Sequence, residues 1–352
     1  MPRSSTPSPR PLSLRKRLLF LAIILGVLAA TVEVGTRAFW RLGYGVSFKA
    51  PDFYDIYYPE TRAAETMRIA RDDEQIDVLL LGGSVLHERF GSIAEALREQ
   101  LTHETGRPVR VYNAANIAHT TRDSLVKYRR LEGKAFDLVI VYHGINEARA
   151  NNCPPELFRD DYSHYAWYAM VNRFAVEGPH RYSAAWATAR LAWARAMLKW
   201  RADRFVPLHA PHERWLDFGG DIKTAATFDR NLRDIAVLAE QRGDPLMLMT
   251  FATHVPADYS HEAFKARRLD YVLHLSAIEL WGRPDQVAAA IAAHNDAVRT
   301  VAAEHGLPLV DQQSLMPADG RLFNDICHFT HKGSQTFVDN LLPQAQAMLA
   351  TD

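Results

Sequence analysis

Six successive residues, Ile76-Asp77-Val78-Leu79-Leu80-Leu81, put apolar side chains on both faces of any strand they form. A strand solvated on one side alternates apolar and polar residues. One that does not alternate must be covered above and below, as the strands of a parallel sheet are. The run therefore points to an α/β fold with helices on both sides of the sheet. The chain keeps that rhythm. Val109-Arg110-Val111-Tyr112, Phe136-Asp137-Leu138-Val139-Ile140-Val141-Tyr142, Pro245-Leu246-Met247-Leu248-Met249-Thr250 and the short Leu307-Pro308-Leu309-Val310 read as four further strands. Helical signals fall between them. Ser92 and Glu95 form a capping-box pattern for a helix reaching about His103, and residues 120–132 carry Leu125, Tyr128 and Leu131 on one face. Another helix carries Phe228, Leu232, Ile235 and Leu238; an alanine-rich one covers 284–304 before Gly306; the last spans 332–349. The expected architecture is a three-layer sandwich around a parallel sheet of about five strands.

The N-terminus has a different character. Arg10, Arg15, Lys16 and Arg17 precede an uncharged run from Leu18 to Val32. A basic flank before an apolar segment is the layout of a membrane anchor or an export signal. The run is short for a full span, which takes about 20 residues, but it extends toward Trp40 if Glu33 and Arg37 lie at the far interface. Small residues stand at Ala29 and Ala30, yet Val27 or Leu28 makes a weak cleavage site. An uncleaved transmembrane helix is therefore expected, with a cleaved signal and secretion as the rival reading. The flank places the N-terminus in the cytoplasm and the rest in the periplasm or outside the cell. Residues 1–40 form this tail and anchor, 41–75 a tether, and 76–352 a single domain with a helical insertion at about 150–220.

Composition narrows the functional classes. Hydrophobic residues make up 48% of the 352, enough for a real core. Lys plus Arg and Asp plus Glu both total 41, so nothing draws the chain generally to nucleic acid, and no basic tract is interleaved with aromatics. The two cysteines, Cys153 and Cys327, form no CxxC pair of the kind that builds a structural zinc site. Outside the cytoplasm they could join in a disulfide, although a free pair is the expected state. In the insertion, Tyr182, Trp186, Trp193, Met197 and Trp200 recur at helical spacing among Arg181, Arg190, Arg195, Lys199, Arg201 and Arg204. An amphipathic helix packed on the domain is the first expectation; a helix on anionic lipid, or a lid, is the sharper one.

The chemistry-bearing residues stand at opposite ends of the domain. Leu80-Leu81-Gly82-Gly83-Ser84 runs a buried strand into a tight glycine turn with a serine at its tip. Asn324-Asp325-Ile326-Cys327-His328-Phe329-Thr330 puts a carboxylate and an imidazole three residues apart on one loop. A hydroxyl nucleophile, a base to take its proton and an acid to orient that base are what acyl transfer needs. In α/β sheets the ligand site lies at the carboxyl ends of the strands, where Ser84, Asn146 and the stretch from Ala115 all fall.

Four segments in order, Gly82-Gly83-Ser84, Asn113 through Thr121, Gly144-Ile145-Asn146-Glu147 and Asp325 through His328, resemble the four blocks of the SGNH (GDSL-type) hydrolase superfamily. They frame nearly all of the chain after residue 76, and the anchor is similar to that of membrane-tethered bacterial members. The resemblance implies a flavodoxin-like SGNH fold and a serine esterase that needs no metal or organic cofactor. It implies Ser84 as nucleophile, His328 as base and Asp325 as its partner, with an oxyanion hole from the N–H of Ser84, the N–H of Ala118 and the side-chain amide of Asn146. Ala118 departs from the pattern, which has glycine there, and alanine resists a positive φ. Glu147, where relatives often have Asp, is expected to support the turn. Gly144, His143 and His254 are the expected substrate-binding residues, His119 a further candidate. The substrate class is a small-molecule or glycan ester. The same site could serve an O-acyltransferase, and the fold alone could serve a non-catalytic glycan-binding module.

Overall fold

The computed structural model describes residues 13–49, 51–71, 73–177, 183–207 and 210–350. Arg10, Arg181 and Tyr182 lie outside them. In chain order the long elements are α1 (Leu14–Tyr44), β1 (Ile76–Gly82), α2 (Ile93–Thr105), β2 (Val109–Asn113), α3 (Thr121–Arg130), β3 (Leu138–Tyr142), α4 (Ala166–Glu177), α5 (Ala184–Trp200), α6 (Thr224–Arg242), β4 (Leu246–Met249), α7 (Pro284–His305), β5 (Leu309–Val310) and α8 (His331–Leu349). The five strands form one parallel sheet in the order β2-β1-β3-β4-β5. The order reverses between β1 and β3, and the crevice at such a switch point is where sheets of this kind bind ligands.

Every residue of β1 is buried, as its two-sided apolar run requires. Ile76, Val78 and Leu80 face the layer that contains Leu97 and Leu101 of α2 and Phe337 and Leu341 of α8. Leu79 and Leu81 face Leu125 and Tyr128 of α3 and Phe228, Leu232 and Ile235 of α6. Helix α7 serves both layers, with Val287 and Ile291 in the first and Val298 and Val301 in the second.

Two local expectations come out differently. Ser92 precedes α2 but makes no capping bond. Its hydroxyl lies 3.1 Å from His331 Nδ1 instead, tying α2 to the start of α8. The reciprocal capping box occurs at α3, between Thr120 and Asp123. In the insertion, α5 turns Ala184, Ala187 and Leu191 inward. Trp186, Trp193 and Trp200, spaced by sevens, are 63%, 67% and 75% exposed. The tryptophan stripe therefore faces away from the domain rather than packing on it. Cys153 and Cys327 are both free and buried.

Helix α1 is 31 residues, long and apolar enough to cross a membrane. Its C-terminal part is braced against α5. The Glu33 carboxylate accepts from the backbone N–H groups of Ala184 and Ala185 at 2.8 and 3.0 Å, and Trp40 Nε1 donates to Thr188 Oγ1 at 2.7 Å. These contacts satisfy donors at the start of α5 that no intrahelical carbonyl can reach. Downstream of α1, Phe53, Tyr57 and Tyr58 are buried together with Trp40, Val126 of α3 and Leu191 of α5.

Candidate active site

Ser84 sits just past β1 and opens a single helical turn, Ser84–Leu86. Gly83 before it is tightly enclosed: a Cβ there would come within 2.6 Å of Asn146 Nδ2 and 3.3 Å of the His119 carbonyl. Any side chain at this position would push the Asn146 amide aside.

The 324–330 loop closes on the serine from the far end of the chain. Phe323 bridges to Phe329, Asn324 N–H donates to the His328 carbonyl at 2.7 Å, and Asn324 Nδ2 donates to the Phe329 carbonyl at 2.8 Å. Inside this loop Asp325 is fully buried. Its Oδ1 accepts the backbone N–H groups of Cys327 and His328, both at 2.9 Å, and its Oδ2 lies 2.7 Å from His328 Nδ1. With Nδ1–H donated to that carboxylate, Nε2 is left as an acceptor, and it lies 2.8 Å from Ser84 Oγ. Thr330 caps α8 by accepting from Gly333 N–H at 3.0 Å, and a Cβ at Gly333 would collide with the Leu322 carbonyl, so the loop enters the helix in one geometry.

Polar hydrogens also stand after β2 and β3. The N–H groups of Ser84 and Ala118 meet no acceptor among the described residues. Ala118 adopts φ 62, the left-handed conformation that its side chain disfavours. Asn146, on the short helix after β3, donates one Nδ2 hydrogen to the His119 carbonyl at 2.8 Å, which leaves a second hydrogen on the same nitrogen. Its Oδ1 accepts from Trp281 Nε1 at 3.0 Å, so the indole and the His119 carbonyl together fix which way the amide points. Trp281 lies between β4 and α7 and has no signal in the sequence. Nor does Phe90, whose ring stacks on His328 with centroids 4.3 Å apart.

The remaining expected residues separate. His143 is buried, and its Nε2 lies 2.7 Å from Ser124 Oγ of α3, so that ring nitrogen is already engaged within the domain. Burial lowers its pKa to about 3, so it stays neutral. Gly144 packs against the Phe251 side chain and accepts from His294 Nδ1 at 2.8 Å, which also places it in the interior. His254 stands beside the 324–330 loop, its N–H donating to the Ile326 carbonyl at 2.9 Å. Its Nε2 is buried without a hydrogen-bond partner among the described residues. His119 is turned inward, with Nδ1 2.6 Å from Lys127 Nζ, and burial lowers its pKa to about 3. Glu147 accepts the Thr121 N–H at 2.6 Å, and burial raises its pKa to about 8. It is a neutral support for the start of α3.

Among the described residues one cluster could offer a metal three ligand atoms within 4.8 Å, from Asp325, Cys327 and His328. It fits poorly. Burial and the Asp325 charge push the Cys327 thiol well up, away from the thiolate that binds metals, and His328 Nδ1 is taken by Asp325.

No family model matches the chain, and no curated protein matches it. Solved structures do. A lipase/acylhydrolase from Enterococcus faecalis is 16% identical, covering 77% of this chain and 96% of its own, with a TM-score of 0.39. A GDSL-like lipase from Bacteroides thetaiotaomicron is 14% identical over 85% and 98%, with a TM-score of 0.41. An acetyl xylan esterase from Geobacillus stearothermophilus is 13% identical over 79% and 97%, with a TM-score of 0.44. These are distant likenesses, and the α/β assignment stands on the strand order and register of the chain itself.

Proposed function

We propose that the protein is a serine esterase of SGNH type, with Ser84 as nucleophile, His328 as general base and Asp325 as the residue that orients it. The observation that carries this reading is the continuous hydrogen-bonded chain Ser84 Oγ, His328 Nε2, His328 Nδ1, Asp325 Oδ2, at 2.8 and 2.7 Å. As Ser84 Oγ attacks an ester carbonyl, its proton passes to His328 Nε2. The carbonyl oxygen gains charge opposite the N–H groups of Ser84 and Ala118 and the free Nδ2 hydrogen of Asn146, which are fixed before the reaction and need no reorientation. The Asp325 carboxylate stabilises the imidazolium. His328 then returns the proton to the departing alkoxide, leaving an acyl-Ser84, and water repeats the sequence to release the acid.

The basic flank and the length of α1 support anchoring, with the enzyme outside the cytoplasm and O-acyl groups of a glycan as the substrate class. Of the three residues expected to bind substrate, this reading retains His254, which bonds the 324–330 loop through its backbone and whose Nε2 has no hydrogen-bond partner among the described residues and lies 3.8 Å from Asp270 Oδ2. A sugar hydroxyl in place of water would make the same site an acyltransferase, and analysis of products with and without acceptor separates the two.

The test is labelling of the full-length chain with a fluorophosphonate probe. Wild type labels and Ser84→Ala does not; no labelling of folded wild type sinks the esterase reading and favours a binding module. A reporter fused after Gly45 is active outside the cytoplasm if the orientation is right.

A further inference from the structure

The segment after α1 reaches the back of the turn that presents Ala118. Pro59–Thr61 is a single helical turn, and Glu60 at its centre points its carboxylate inward, the side chain 11% exposed. One carboxylate oxygen lies 2.7 Å from Lys127 Nζ of α3. The other accepts from Asn116 Nδ2 at 3.1 Å. Lys127 is fully buried, and its ammonium donates to the Ala114 carbonyl and to His119 Nδ1, both at 2.6 Å. Tyr58, next to this segment's buried face, stands with its ring 5.3 Å from the same ammonium and donates its hydroxyl to Asp123 of α3 at 2.8 Å.

The pair therefore grips residues 114–119 at three points: a carbonyl at the start, a side-chain amide in the middle and an imidazole at the end. Ala118 at φ 62 lies between the second and third. A left-handed alanine left to itself relaxes to negative φ, and it persists only where surrounding contacts over-determine it. These contacts supply that constraint. They also bear on Asn146, because the His119 carbonyl that receives its amide belongs to the same loop. Burial lowers the Lys127 pKa, and the charges of Glu60 and Asp123 oppose that shift.

We propose that Glu60 and Lys127 are positioning residues for the esterase reaction. Their ion pair enforces the left-handed turn at Ala118 and so holds its N–H toward the oxyanion. The membrane-proximal residues around Glu60 are then a working part of the hydrolase unit, not only a tether. This rests on the serine-esterase reading of the site.

The experiment uses the full-length chain in detergent with p-nitrophenyl acetate as the probe. Glu60→Gln and Lys127→Met are made singly and together, since the double change removes both members of the buried pair, while the Asp123 carboxylate keeps its bonds from Tyr58, Tyr168, Trp167 and the Thr120 N–H. In folded protein, kcat is expected to fall roughly tenfold or more while KM moves by no more than about twofold, the pattern of a lost transition-state interaction. The same changes are then made together with Ala118→Gly. Glycine adopts positive φ without help, so the loss of kcat relative to Ala118→Gly alone shrinks to roughly threefold or less, a non-additivity expected of coupled sites. Equal losses in both backgrounds mean that the pair serves the fold alone and overturn the proposal, as does an unchanged kcat in the folded double variant. Asn116→Ala frees only the middle of the loop and leaves the ion pair intact, so it tests the same coupling if the charge variants do not fold. Failure of the esterase reading is distinct: there, Ser84→Ala hydrolyses the probe as fast as wild type.

Discussion

His328 Nε2 lies 2.8 Å from Ser84 Oγ although 244 residues separate them. The contact is made by two loops that are far apart in the chain. One is the turn after β1; the other leads into α8, which packs in the same layer as α2.

The carboxylate behind His328 sets its tautomer. In Asp325→Asn the remaining oxygen stays with the two backbone N–H groups that Oδ1 now receives, which turns the new NH2 group toward His328 Nδ1. Nδ1 must then accept, and Nε2 carries the hydrogen and cannot take the serine proton. We expect kcat to fall by about 10⁴-fold with the fold retained. Ester turnover together with far-UV circular dichroism checks this, and near-normal turnover would remove Asp325 from the mechanism.

Trp281 holds the Asn146 amide through a bond of 3.0 Å to Oδ1. Trp281→Phe keeps most of the buried ring and deletes the N–H. The amide then loses one of the two contacts that distinguish its ends, and a buried acceptor loses its donor. A fall in kcat of roughly tenfold is expected, smaller than the roughly 10²–10³-fold for Asn146→Ala, which removes the proposed oxyanion donor itself. Equal kcat for wild type and Trp281→Phe would show that the His119 carbonyl alone orients the amide.

Ala118 stands at φ 62. Relief of a left-handed alanine is worth about 1–2 kcal/mol, and glycine's extra freedom in the unfolded chain takes back about 0.5–1. Ala118→Gly should therefore raise unfolding stability by roughly 0.5–1 kcal/mol. Urea denaturation reads this directly; a destabilised variant would mean that the alanine methyl makes contacts worth more than the strain.

Glu147 links stability to pH. Burial raises its folded pKa to about 8, above its ordinary 4.5. The unfolded chain releases this proton first as pH rises, so the contribution is complete below about 4.5 and is lost progressively up to about 8. Glu147→Gln keeps an acceptor for the Thr121 N–H and removes the titration. The stability of wild type relative to this variant should fall between pH 5 and pH 8, measured from urea midpoints. A constant difference would show that Glu147 is ionised in the folded protein.

Much of the architecture was legible because it is local. The run at 76–81 declared a strand covered on both sides, and the helical faces of α3 and α6 were visible in their spacing. Strand ends were less so. Phe136 and Asp137 read as strand, yet β3 begins at Leu138, because the Asp137 carboxylate itself accepts the Asp77 N–H at 2.7 Å and takes the place of a ladder bond. The Ser92 capping pattern failed for a related reason: its hydroxyl found a partner 239 residues away.

By itself the sequence determined which backbone segments could be strands or helices, that Ser84 would end a buried strand, and that Asp325 and His328 would share one loop. All three follow from interactions within a few residues. Only the tertiary structure decided that His143 and His119 turn inward, that Trp281 orients Asn146, and that Glu60 reaches Lys127 behind the Ala118 turn. Those outcomes depend on which side chains the folded layers bring within hydrogen-bonding distance, and burial then makes each polar group pair with whatever lies there.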